Sequence, residues 1–239
     1  MAARQTGRAN AAGPVPSARD AFPTTLALFD LDRTLLPGSS LVALGRALVA
    51  AGVVRRRALT LAALRDARYR HRGASDADAD RLRTRALAAV AGVERTALLD
   101  VVARVGAELA ATVAPGARML LDHHLAAGDF CVVLSASPHE LVDVIGAALG
   151  AHRSIGTRAA VAHGQLTGAL DGPFCYGPGK LARLRDALGP VELEEAWAYA
   201  DSASDLPLLR ACGHPVAVHP DRTLRKVAAA EGWPVITVS

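Results

Sequence analysis

Hydrophobic positions along the chain fall into two textures. From Thr25 the run Thr25-Leu26-Ala27-Leu28-Phe29 is continuous and apolar, and it stops at Asp30, which predicts a short buried strand. Beyond Pro37-Gly38 the spacing becomes helical for about 75 residues. Ser39 or Ser40 can cap a helix reaching Ala51 before Gly52. A second helix is expected over 54–72, a third from a Ser75 cap to Ala91, and a fourth over 94–112, stopping near Pro115-Gly116. The first texture then returns. Phe130-Cys131-Val132-Val133-Leu134 predicts a strand, followed by a helix that opens with Pro138 as its first residue. Residues 154–170 suit a strand and a hairpin, 179–188 a helix, and 196–200, 215–218 and 234–238 three further short strands. Residues 1–22 are rich in Ala, Arg, Gly and Pro without periodicity and read as a flexible tail.

Strands alternating with helices imply an α/β fold with a doubly wound, mostly parallel sheet, whose sites lie at the carboxyl ends of its strands. The expected division is a core of 23–38 and 115–239, with 39–114 inserted as an all-helical block. Composition narrows the setting. Hydrophobic residues make up 51% of the 239 but aromatics only 4%, so helices must pack largely through Ala, Val and Leu. No run of 18 apolar residues is present, so no membrane partner is expected, and the opening carries no apolar stretch of a secretory signal. Three cysteines at unrelated spacings suggest neither a disulfide framework nor a zinc site, and the expected location is cytoplasmic. His123-His124, at adjacent helix positions, cannot both face one metal, and Cys131, Trp197 and Trp233 read as packing residues. A net charge of +4 is too mild to single out nucleic acid. Among 27 basic residues only Lys180 and Lys226 are lysines, which draws attention to Lys180.

Four polar clusters follow strands or open helices. Asp30-Leu31-Asp32-Arg33-Thr34 leaves the first strand with two carboxylates at i and i+2. Ser135-Ala136-Ser137 leaves the next, where a hydroxyl and free N–H groups at a helix start can hold an anion. Gly177-Pro178-Gly179-Lys180 opens a helix with the scarce lysine, and Asp201-Ser202-Ala203-Ser204-Asp205 follows another apolar strand. Each has a plain alternative as a cap or a solvated loop. Together they suit phosphoryl transfer: a phosphate ester repels an anionic nucleophile until a cation, a lysine and N–H groups offset its charge.

In these four motifs the chain resembles the haloacid dehalogenase superfamily of hydrolases, in its phosphoserine-phosphatase-like branch, subfamily IB, over about residues 25–220. The resemblance implies a Rossmann-like core with 39–114 as a helical C1-type cap. It implies Asp30 as a nucleophile that forms an aspartyl-phosphate, and Asp32 as the acid and then base, with its backbone carbonyl on the metal. Lys180 would balance charge; Thr34, Ser135, Ala136 and Lys180 would bind phosphate; and Asp30, Asp32, Asp201 and Asp205 would hold Mg²⁺. The partner implied is a small phosphorylated metabolite, with Arg68, Tyr69, His71 and Arg72 in the cap as candidate readers beside Arg65 and Arg70. Phosphoserine phosphatases place an acidic residue shortly after motif one, whereas 35–40 here contains none. The expected activity is that of a Mg²⁺-dependent phosphatase. The alternatives are a phosphotransferase using the same motifs and an arginine-rich binding protein on the same fold. Substrate and oligomeric state are left open by the sequence.

Overall fold

The computed structural model describes residues 25–55 and 76–238. The expected tail, the helix over 54–72 beyond Arg55, the Ser75 cap and the candidate readers Arg65, Arg68, Tyr69, Arg70, His71 and Arg72 lie outside the described residues.

Six parallel strands form one sheet in the order β3-β2-β1-β6-β7-β8. They are β1 (Leu26–Asp30), β2 (Phe130–Pro138), β3 (Arg153–Thr157), β6 (Trp197–Ala200), β7 (His214–Val218) and β8 (Val235–Ile236). β4 (Ala159–Ala162) and β5 (Gln165–Leu170) make a separate antiparallel hairpin. The helices are α1 (Ser40–Ala50), α2 (Asp76–Val90), α3 (Arg95–Ala110), α4 (Pro115–Ala127), α5 (His139–Leu149), α6 (Pro178–Leu188), α7 (Leu206–Ala211) and α8 (Arg222–Glu231).

β1 is buried at all five positions because it is central and covered on both faces, which explains its continuous apolar run. Its side chains alternate between two cores. Ala27 and Phe29 join Cys131, Val133 and Tyr199 beneath α1, α3, α4 and α5. Leu26 and Leu28 join Val132, Leu134 and Ala198 beneath α6, α7 and α8. Helices on both faces make the sheet doubly wound, as expected. At about 25 cal/mol per Å² of apolar surface removed from water, the two faces are the main source of stability.

Part of the stretch 39–114 shares the first of these cores. Leu44 and Leu48 of α1 and Leu98, Val101, Val102 and Val105 of α3 are buried with the sheet residues. Gly106 of α3 lies so close to α5 that a Cβ there would sit 2.5 Å from Val144 Cγ1. The turn between α2 and α3 also bonds to the hairpin, through Gly92 N–H to the Leu166 carbonyl at 2.8 Å and Leu166 N–H to that of Val93 at 2.9 Å.

Two boundaries differ from expectation. Pro115 opens α4 at its first turn instead of only marking the end of the preceding helix, since a proline lacks the N–H that this position does not use. Pro138 is not the first helical residue: β2 runs through it, it pairs with Thr157, and it caps α5, which begins at His139.

Candidate active site

β1 pairs with β2 on one side and with β6 on the other, so the chain changes winding direction between β1 and β6, where a doubly wound sheet opens a crevice at its carboxyl edge. Asp30 is the last residue of β1, and Asp201 is the first after β6. Asp205 ends the 3-10 turn Ala203–Asp205, beyond Ser202, whose hydroxyl accepts from Ser204 N–H. One carboxylate oxygen from each of these three buried aspartates lies within 4.8 Å of the others.

Lys180 enters the group from the first turn of α6. Its Nζ donates to Asp30 Oδ1 at 2.6 Å and to Asp205 Oδ2 at 2.8 Å, and the side chain is buried. The first turn of α6 requires glycine at 179, where a Cβ would collide with the Phe174 carbonyl oxygen. Burial disfavours the ammonium, but the Asp205 and Asp30 carboxylates outweigh that and hold the Lys180 pKa above its ordinary value.

Three buried carboxylates around one lysine leave excess negative charge. Burial, with Asp30 and Asp205 beside it, pushes the Asp201 carboxyl well above the usual range. Burial also lifts Asp205 to about 6, with Lys180 opposing and Asp30 assisting the rise. Asp205 Oδ1 accepts no hydrogen bond, although Lys180 Nζ lies 2.8 Å away. Hard oxygen donors short of positive charge fit a divalent cation such as Mg²⁺, and Asp30, Asp201 and Asp205 are the side chains that could hold one.

Asp32 lies apart from this triad. Its Oδ1 accepts from the Ser40 backbone N–H at 2.9 Å. Burial raises its pKa to about 6, against the hydrogen bonds from Ser40 and with help from the Asp30 charge. The loop between the two aspartates turns tightly: Leu35 and Leu36 N–H both reach the Leu31 carbonyl, and Arg33 takes a left-handed φ of 64°. The Thr34 hydroxyl donates to Asp30 Oδ2 at 3.2 Å. Ser135, Ala136 and Ser137 lie within β2 and not beyond it at a helix start, because the strand continues to Pro138; Ser135 is buried, and its oxygen accepts from Ser137 N–H at 3.1 Å. The neighbouring Ala136 carbonyl accepts from the Thr157 hydroxyl at 2.7 Å.

Ser40, which the sequence offered only as an alternative cap to Ser39, and Ser137 lie close to this machinery. Ser39 is the cap of α1, its side chain accepting from Val42 N–H, which releases Ser40 to face Asp32. Ser40 and Ser137 meet hydroxyl to hydroxyl at 2.6 Å. Ser137 stood inside a quoted motif; nothing in the local pattern of residue 40 pairs it with a residue 97 positions away.

Cys131, Trp197 and Trp233, expected to pack, do so: Cys131 is buried, Trp197 stacks on His214 at 4.6 Å, and Trp233 packs against the second core. Of the adjacent histidines, His124 is buried and bonds Asp129 and Tyr199, while His123 is exposed.

A parallel sheet with buried carboxylates and a lysine at its switch point suits a core that moves phosphoryl groups. Residues 27–210 match the haloacid dehalogenase-like hydrolases, and the chain belongs to that family. It is a hydrolase of the phosphatase class. It is 36% identical over 242 residues to a probable phosphatase of Mycobacterium tuberculosis, covering 100% of this chain and 82% of that protein. With a phosphoserine phosphatase of the same organism it shares 33% identity over 216 residues, covering 89% and 70% of the two chains. A solved structure of a Bordetella pertussis Tohama I protein of unknown function superposes with a TM-score of 0.75 at 29% identity, covering 89% of this chain and 98% of that one. Among the described residues no helix is long and apolar enough to cross a membrane.

Proposed function

We propose that this phosphatase hydrolyses a small phosphomonoester through an aspartyl-phosphate on Asp30, with Mg²⁺ as its metal. The observation that carries the reading is the buried Asp30 carboxylate, at the switch point of the sheet, bonded to Lys180 and grouped with Asp201 and Asp205. Bound there, Mg²⁺ would offset charge on the phosphate ester; Asp30, Asp201 and Asp205 would supply side-chain ligands, and Asp32 its backbone carbonyl.

Asp30 attacks phosphorus through a carboxylate oxygen and the ester P–O bond breaks. The departing oxygen takes its proton from Asp32, whose pKa of about 6 leaves an acid fraction near neutrality. The Asp32 carboxylate then takes a proton from water, whose oxygen displaces Asp30 and releases phosphate. Lys180 offsets charge on Asp30 and the phosphoryl oxygens, while Ser135, the Ala136 backbone and Thr34 line the phosphoryl site.

Two features of this chain bear on the substrate. Phosphoserine carries an ammonium group, and the segment 35–40 offers it no carboxylate. The Ser40 side chain, at the end of that segment, is already engaged with Ser137. A phosphomonoester without that ammonium is therefore favoured, read by Arg68, Tyr69, His71 and Arg72 from a cap over 39–114 upon a core of 23–38 and 115–239. Three free, buried cysteines suit a reducing cytoplasm.

The test is Asp30→Asn, assayed with p-nitrophenyl phosphate and Mg²⁺. Loss of phosphate release with unchanged thermal unfolding is expected, and full activity would refute the nucleophile. A competing alcohol in the assay separates hydrolysis from transfer.

A further inference from the structure

Ser40 and Ser137 come from different parts of the chain and are 0% and 1% exposed. Their hydroxyl oxygens lie 2.6 Å apart, a strong contact between two neutral groups that water does not reach. Both ends of this contact lead into the site. The Ser40 backbone N–H donates to Asp32 Oδ1 at 2.9 Å. The hydroxyl pair thus ties the first residue of α1, whose N–H holds Asp32, to the last residues of β2. The Ser137 N–H in turn donates to Ser135 Oγ at 3.1 Å, leaving the Ser135 proton for another acceptor.

We propose that Ser40 and Ser137 are positioning residues of the phosphatase reaction, their buried hydroxyl pair fixing the Ser40 N–H on the Asp32 carboxylate, so that it is held in its working rotamer and in register with Ser135. The position of Ser40 suits this task. It is the first residue of α1, where the backbone N–H has no partner inside the helix and is free to bind a carboxylate. Because Ser39 supplies the cap, the Ser40 hydroxyl is not needed for helix stability. A polar pair buried this deeply, when an Ala–Ala contact would fill the space without directional demands, is accounted for by the direction it imposes on Asp32.

The proposal rests on reading Asp32 as the acid that protonates the leaving oxygen, so the test compares two esters that differ in their need for that proton. p-Nitrophenyl phosphate has a good leaving group, and phenyl phosphate a poor one. Rates of phospho-enzyme formation are measured by rapid quench in single turnover, with Mg²⁺ present, for wild type, Ser40→Ala, Ser137→Ala and Asp32→Asn. Thermal unfolding is followed alongside. Ser40→Ala and Ser137→Ala should each slow phenyl phosphate about tenfold more than p-nitrophenyl phosphate, a partial version of the loss in Asp32→Asn. If Asp32→Asn separates the two esters while both serine variants slow them equally or not at all, the pair is only structural and the proposal is overturned. If Asp32→Asn itself fails to separate them, the acid role falls and the proposal falls with it. Should one serine variant not fold, the other carries the comparison.

Discussion

Two buried polar networks flank the same strands, and they differ in charge balance. On the α4 side of the sheet, His124 Nδ1 meets Asp129 at 2.7 Å and Nε2 meets the Tyr199 hydroxyl at 2.7 Å, with Tyr199 stacked on Phe29 at 4.8 Å. Each ring nitrogen has one partner, and the network is closed. At the carboxyl edge, one residue beyond Phe29 and two beyond Tyr199, Asp30, Asp201 and Asp205 crowd around a single lysine. A closed network holds strands together; a cluster with surplus negative charge is stable only once a cation or a proton joins it. The contrast sets the second network, the proposed site, apart from the first.

The sharpest way to break this contrast is to remove the ammonium. Lys180→Met should lower kcat/KM by about 10²–10³-fold and cost about 3–5 kcal/mol in chemical denaturation without metal, because three buried carboxylates then face one another. Asp201→Asn should separate stability from function. Removing one buried charge should stabilise the metal-free protein by about 1–2 kcal/mol, while activity and the rise in Tm on adding Mg²⁺ are lost.

The pH dependence of stability sharpens the comparison further. Asp201 is raised well above its ordinary value, and Asp205 moves from 3.8 to about 6. In the window between these values the folded state binds more protons than the unfolded chain. The stabilisation is complete below about pH 4 and is lost as pH rises through about 6. Over that range these groups make the metal-free Tm fall with increasing pH, while saturating Mg²⁺ should flatten the slope in calorimetry. The smallest effect belongs to the closed network. Tyr199→Phe should cost about 1–2 kcal/mol, by leaving His124 Nε2 without its partner, and should leave kcat/KM unchanged.

The sequence carried the α/β alternation because strands buried on both faces need continuous apolar runs, as in Leu26-Ala27-Leu28-Phe29. It carried Asp30, Lys180, Asp201 and Asp205 because each follows a strand or opens a helix, positions that a linear pattern exposes. Lys180 stood out further through the scarcity of lysine. The contact of Ser40 with Ser137 was not legible, since it depends on how the start of α1 meets the end of β2 across 97 positions. Nor was the shared core of α3 and α5: Gly106 shows its purpose only when Val144 lies against it. The Pro138 boundary was missed because proline serves a cap as readily as a first turn, and only its pairing with Thr157 decides between them.

The central claim is a covalent bond between Asp30 and phosphorus. Rapid acid quench during turnover of p-nitrophenyl phosphate with Mg²⁺, followed by peptide mass spectrometry, tests it directly. The expected result is a single added phosphoryl group on the peptide containing Asp30, formed within the first turnover and absent from Asp30→Asn. Steady hydrolysis with no such peptide at any quench time would contradict the account.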